Sequence, residues 1–232
     1  YHLEVSIGDC IAISEIVTLE VDDFPDVTLN VGLYNEICEN TVLTISVPSG
    51  ADQYAWFKDN QPFGGNTNSI SVMNTGDYYV IASIGNCQRT SDIVTVVVLT
   101  YPDVTLNVPL QNEICEGQTL LLQVPPGADT YEWYLDNVLQ PGNSNTFSAD
   151  VAGDYHVVAA NGNCEAISEI VELTVTAIPN VNLNVGSNVS ICEGESIIVS
   201  VPPGADTYEW FFNGNSMNEF TNSIIITQAG DY

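Results

Sequence analysis

Residues 124–133 read VPPGADTYEW, and residues 201–210 repeat them letter for letter, 77 positions later. Sliding the whole sequence by that interval aligns its marker residues without a gap. Cys38, Cys115 and Cys192 fall in one column, and Cys10, Cys87 and Cys164 in another. Trp56, Trp133 and Trp210 share a third, and Gly-Asp-Tyr recurs at 76–78, 153–155 and 230–232. A fixed period means a tandem array, in which each unit repeats one block and leans on its neighbours. Tyr1 is equivalent to Tyr78, Tyr155 and Tyr232, so the sequence begins and ends inside a unit.

Within one period, short β-branched or alternating runs are separated by Gly, Pro, Asn and Asp, and helical periodicity is absent. In the first complete unit these runs are 27–31, 42–47, 54–58, a short piece near 62–63, 70–73, 78–83 and 93–99. About seven strands in such a span, with turn signals every 8 to 12 residues, predict an antiparallel β-sandwich. Between the last strand of one unit and the first of the next stand only Thr100, Tyr101, Pro102 and Asp103. A link this short, stiffened by proline, favours an extended rod over loosely strung beads. The expected organisation is therefore residues 1–23 as the last two strands (F and G) of a preceding repeat. Residues 24–100 and 101–177 follow as complete repeats, and 178–232 as an incomplete repeat with strands A to E and the start of F.

Charge narrows the partners. Thirty Asp and Glu face one Lys (Lys58) and one Arg (Arg89), for a formal net charge of −28. A polyanionic nucleic acid is repelled by such a surface, and no basic amphipathic segment exists to hold an anionic membrane. No apolar run approaches the roughly 20 residues that span a bilayer, so direct membrane insertion of this segment is not expected. The 11 Tyr, 7 Phe and 3 Trp, with abundant Val and Ile, set the chain apart from charged disordered sequences.

The succession ICEG, an alternating strand, YEWY, AGDY, NGNC and a final Val-rich strand resembles the immunoglobulin-like tandem repeats of large secreted cell-surface proteins in Bacteroidota-type bacteria. Gliding adhesins exported by the type IX route are among them. The resemblance implies an extracellular, cell-surface stalk or adhesive filament and no chemistry. In an immunoglobulin-like sandwich a Trp on strand C packs in the core and a Tyr opens strand F as the tyrosine corner. Trp56, Trp133 and Trp210 fit the first role, and Tyr78, Tyr155 and Tyr232 the second. The cysteine that antibody domains carry two residues after that Tyr is replaced by Val80 and Val157.

The cysteines sit elsewhere. Cys38 precedes strand B, whereas Cys87 lies in the IGNC turn after strand F. If the strands alternate B up, C down, C′ up, E down and F up, eight or nine residues of strand separate the two cysteines by about 25 Å. A disulfide needs Cα atoms about 4.4 to 6.8 Å apart. On that parity Cys38 meets Cys164 of the next repeat across the junction, while Cys10, Cys87, Cys115 and Cys192 pair with repeats beyond the sequence. If the stretch 59–68 is a plain loop, strand F reverses and Cys38 pairs with Cys87 instead. Both pairings place the chain in an oxidising compartment.

Three acidic columns recur: Glu39, Glu116 and Glu193; Asp52, Asp129 and Asp206; Asp77, Asp154 and Asp231. Calcium at repeat junctions is one reading, since it takes oxygen ligands, but no EF-hand spacing is present. Turn capping is the plainer one. No cofactor is otherwise expected. His2 and His156 lie in no nucleophile or metal motif, so the chain is read as non-enzymatic. Three readings of function follow. The first is a structural, disulfide-reinforced segment of an adhesin or filament whose partners are neighbouring repeats. The second is an array binding surface glycans or other cells through its most variable stretches, 136–150 and 213–226. The third is a polymer of separate subunits that complete one another by donated strands.

Overall fold

The computed structural model describes residues 1–232 and is built of strands and turns alone. A hairpin opens the chain, β1 (Glu4–Ile7) with β2 (Cys10–Ile13). The first complete repeat supplies β3 (Tyr34–Cys38), β4 (Leu43–Ser46), β5 (Gln53–Lys58), β6 (Gln61–Pro62), β7 (Ser69–Val72), β8 (Gly76–Ile84), β9 (Cys87–Thr90) and β10 (Val94–Leu99). The second repeats them as β11 (Gln111–Cys115), β12 (Leu120–Gln123), β13 (Thr130–Leu135), β14 (Val138–Leu139), β15 (Thr146–Ala149), β16 (Gly153–Asn161), β17 (Cys164–Ile167) and β18 (Val171–Thr176). The last residues add β19 (Ile197–Ser200), β20 (Phe211–Phe212), β21 (Asn215–Ser216) and β22 (Ser223–Ile226).

By its contacts the chain resolves into two compact units. One holds Tyr1–Val108, Leu122–Phe147 and Asp154–Ile170; the other holds Pro109–Leu121, Ser148–Gly153 and Val171–Tyr232. The first unit contains the whole sandwich of residues 24–100. One of its sheets runs in the order β3-β10-β8-β5-β6, with β9 on β8, and the other is the antiparallel pair β4 and β7. The side chains alternate as a half-buried pleat requires: along β8, Tyr78, Val80 and Ala82 are buried while their neighbours face outward. Between the sheets lie Ile45, Val47, Trp56, Ile70, Val72, Tyr78, Val80, Val94 and Val96. The same unit contains the β13, β14, β16 and β17 ladders, in which Trp133 stands opposite Val157 as Trp56 stands opposite Val80. In the second unit β11 pairs in parallel with β18, as β3 does with β10, and β19 and β20 pair antiparallel with β22 and β21.

The strand expected at 27–31 is not a ladder. Val27, Leu29 and Val31 pack against the core, and only Asn30 bonds the neighbouring strand, through its backbone N–H to the Ser46 carbonyl and its side-chain oxygen to the Ser46 N–H. Two strands arise where none was expected, β3 and β9. Both are polar sequences, YNEIC and CQRT, whose weak alternation hides an edge that is held by backbone bonds more than by burial. In residues 1–23, the expected F and G strands become a hairpin equivalent to β8 and β9. Residues 17–22, which align with β10, form no strand, because β10 is held between β3 and β8 and residues 1–23 offer no β3-type partner.

Candidate functional site: the cysteine-linked junction

Residues 99–101 leave the first complete repeat under restraint from both sides. The Leu99 carbonyl accepts the Glu39 N–H at 2.8 Å, and the Glu39 carboxylate accepts the Tyr101 N–H at 3.1 Å. The Thr100 carbonyl in turn accepts the Asn161 side-chain amide of the next repeat at 2.9 Å. Beside this link a disulfide joins Cys38 to Cys164, with Cα atoms 5.5 Å apart and a sequence separation of 126. Cys38 closes β3 directly opposite Leu99 on β10, so the covalent bridge leaves the repeat where the chain itself leaves. Cys164 opens β17 opposite Asn161 and is buried. Cys10, Cys87, Cys115 and Cys192 are free thiols, so neither repeat carries a bond of its own.

The turn between β16 and β17 is shaped to receive the link. Gly162 has φ +53°, a left-handed conformation that favours glycine, and its N–H donates to the Asp129 carboxylate at 2.9 Å. A Cβ there would stand 2.7 Å from the Leu99 methyl and 2.9 Å from the Glu36 carboxylate. The equivalent turn of the first repeat is built alike. Gly85 has φ +53° and donates to Asp52 at 2.8 Å, and a Cβ on it would collide with the Asp22 carboxylate of the preceding link. The Cys87 thiol lies 3.6 Å from the Asp22 carbonyl, and the Arg89 guanidinium sits 6.0 Å over the Phe24 ring.

The acidic columns have identifiable duties as acceptors. Besides Asp52, Asp129 and Glu39, the Asp77 carboxylate accepts the Thr95 hydroxyl at 2.8 Å. Asp59 accepts the Asp77 N–H at 3.0 Å and the Lys58 ammonium at 2.7 Å, and these two contacts hold its carboxyl below the usual range. Asp26 and Asp103 are likewise lowered, each by the hydroxyl and N–H of the threonine two residues on. No group of three or more His, Cys, Asp and Glu side chains converges as a metal site would.

No family model matches the sequence, and no curated protein matches it. Solved structures do. The I-band fragment I67–I69 of titin is similar over 89% of this chain and 90% of its own, with a TM-score of 0.54 and 14% sequence identity. The fold is immunoglobulin-like. The first four immunoglobulin domains of Sidekick-1 (13% identity, TM-score 0.32, 87% of this chain and 65% of that one) are also matched. So are the four N-terminal Ig domains of Dscam1 isoform 6.9 (11% identity, TM-score 0.38), where this chain spans about half the other's length, 51%.

Within the immunoglobulin-like repeats, Trp56 and Trp133 are core residues whose indole N–H groups donate to the Thr67 and Ser144 carbonyls. Tyr78 and Tyr155 are fully covered, and the Tyr78 hydroxyl donates to the Asn74 carbonyl four residues upstream. Trp210 and Tyr232 keep the same bonds, to Thr221 and Gln228, but are only half-buried. The variable stretch 136–150 serves the core: Asn143 accepts the Tyr131 N–H, and Asn145 donates to the Val124 carbonyl. Asn66, Asn68 and Asn222 act the same way in the other repeats.

A cross-strand aromatic pair on the outer sheet face escaped sequence reading. Phe57 stacks on Tyr79 at 5.0 Å, and Tyr134 on His156 at 4.9 Å. Its signal was an aromatic ring one position after each core Trp and a ring one position after Tyr78 and Tyr155. An open depression on β11 and β18, about 370 Å³, is lined by Gln111, Asn112, Glu113, Glu172 and Thr174.

Proposed function

We propose that this chain is a structural segment of a secreted, cell-surface protein, in which tandem immunoglobulin-like repeats are stapled to one another by disulfides and act as a reinforced stalk or filament. The observation that carries this reading is the Cys38–Cys164 bond, which joins successive repeats beside the peptide link. Its stabilising effect comes chiefly through the unfolded chain, whose freedom a closed loop removes. The cysteine columns extend the pattern: Cys10, Cys87, Cys115 and Cys192 are placed to bond cysteines of further repeats, each bond releasing two protons and two electrons to an oxidising disulfide donor.

A disulfide-dense array belongs outside the reducing cytosol. The resemblance to adhesin repeats of gliding Bacteroidota-type bacteria adds the cell surface, and the net charge of −28 keeps neighbouring stalks apart. The reading assigns no catalysis and no nucleic-acid or membrane contact to this segment. Its partners are neighbouring repeats, with glycans or other cells met elsewhere on the assembly.

Trypsin tests it, because Lys58 and Arg89 are the only cleavage sites. Digested without reductant, the protein is expected to yield residues 1–58 covalently attached to residues 90–232, with 59–89 released free. Recovery of 1–58 attached to 59–89 would mean an internal Cys38–Cys87 or Cys10–Cys87 bond and would end the stapled-repeat reading.

A further inference from the structure

We infer that the Cys38–Cys164 bond takes strands β4 to β16 off the load path. Tension along the chain is then borne by the segment before Cys38 and the segment after Cys164, while the strands between are shielded. This deepens the reinforced-stalk reading and rests on it.

The first ground is where the bond attaches. A pull follows the shortest covalent route. Across the disulfide that route is 5.5 Å from Cα to Cα. Along the main chain, the sequence separation of 126 spans about 430 Å when extended. Strands β4 to β8 and β12 to β16, with the tryptophans of β5 and β13 among them, all lie within the bypassed stretch, and so does the β10 link.

The second ground is the parallel pairing of β3 and β10. Without the bond, a pull enters the first repeat ahead of β3 and leaves from the far end of β10, dragging two parallel neighbours past each other. With the bond in place, β3 is held at both ends, by the preceding link and by Cys164. It is then stretched along its own axis, in which direction a strand is already near its limit.

The third ground is the repetition of the cysteine columns. Cys115 closes β11 opposite Thr176, just as Cys38 closes β3 opposite Leu99, and Cys87 opens β9 beside the Asp22 carbonyl, as Cys164 opens β17. Bonds formed on this pattern all along an array create two interleaved covalent rails. Each rail runs for about 28 residues, from Cys87 to Cys115 or from Cys164 to Cys192, and then crosses a disulfide into the next repeat, so that one run and one bond together advance two repeats. Such an array cannot extend beyond about 50 Å per repeat, even with every core melted.

The test is to stretch the chain between its two termini in optical tweezers, oxidised, reduced, and as the Cys38→Ser/Cys164→Ser double variant under oxidising conditions. The reduced chain and the variant are each expected to show two releases, one per complete repeat, each the extended length of 77 residues, about 260 Å, less the span of the folded repeat. The oxidised chain should show none of that size and should end about 430 Å shorter. Two results would overturn the inference. One is an oxidised chain, its bond verified by digestion, that reaches the length of the reduced one. The other is a double variant without repeat-sized releases, since the repeats would then offer no resistance for the bond to relieve. A digest lacking the Cys38–Cys164 link instead removes the stapled-repeat reading itself, separately from the load path.

Discussion

The complete repeats and the flanking segments carry the same residues in the same columns, yet they bury them differently. Val80 and Val96 are 0% exposed, whereas Leu3 and Leu19, one period earlier, are 63% and 72% exposed. The hairpin of β1 and β2 has the strand sequence of the sandwich and none of its opposing sheet. At the other flank β19 and β22 pair in register, but Trp210 is only half-covered. Strand formation is thus local to a pair of strands, while a fully closed core needs strands of the β4, β5, β7, β8 and β10 types together, as in both complete repeats. A two-stranded ribbon alone is marginal in water, which is why the period, rather than any strand, is the unit of stability.

The largest test of this contrast removes the bond between the complete repeats. The loop-closure argument gives about 5 kcal/mol for a loop of this length as an upper figure. Cys38→Ser with Cys164→Ser should therefore lower the urea midpoint of the oxidised protein strongly, while Cys192→Ser, a free and exposed thiol in the flank, should leave it unmoved. Equal effects would mean that the flanking cysteine takes part in the bonding.

Next in size is the core aromatic. Trp133→Ala empties a site that is 2% exposed and leaves the Ser144 carbonyl without its indole donor, for a loss of about 3–5 kcal/mol. Trp210→Ala makes the same deletion in the same column and should cost a fraction of that, because water already reaches the ring. Tryptophan fluorescence against urea, followed for each variant, checks the ratio. Comparable losses would show that the segment 178–232 closes its own core.

The tandem sandwich was legible because the 77-residue period, the Trp and Tyr columns and the period-two runs all pointed to one fold. What stayed hidden was β3 and β9. Their side chains carry little alternation, since Glu36, Gln88 and Arg89 face solvent and the strands are held by ladders to β10 and β8. The junction was legible only in part. Cysteine spacing marks the two poles of a repeat, but which pole meets which depends on strand parity, and parity turned on the polar stretch 59–68. There β6, two residues long, forms a hairpin with β5 before the chain crosses to β7 in the other sheet. The recurring Asp columns read as turn caps and act as acceptors, whereas Asn143 and Asn145 lie in a stretch read as variable and bond the core strands.

The smallest expected effect concerns a single carboxylate, and it too sets a complete repeat against a flank. Asp59 accepts the Asp77 N–H, and Asn213 accepts the Asp231 N–H through its amide oxygen in the same place. The first is titratable and the second is not. In the folded repeat the backbone donor, then the Lys58 ammonium, hold the Asp59 carboxyl below its unfolded value. A depressed folded pKa contributes stability that is present above the unfolded pKa, near 4, and is lost as pH falls through the folded one. Asp59→Asn should preserve the bond, as Asn213 does, and remove this share of the acid sensitivity, giving a shallower decline of the melting temperature below about pH 4. At neutral pH the variant loses the Lys58 partner, an exposed contact of small worth, so its melting temperature there should stay close to that of the parent. A variant that declines with acid as steeply as the parent would show that Asp59 holds its turn by geometry alone, with the repeat's acid sensitivity set by Asp26, whose threonine contacts survive the substitution.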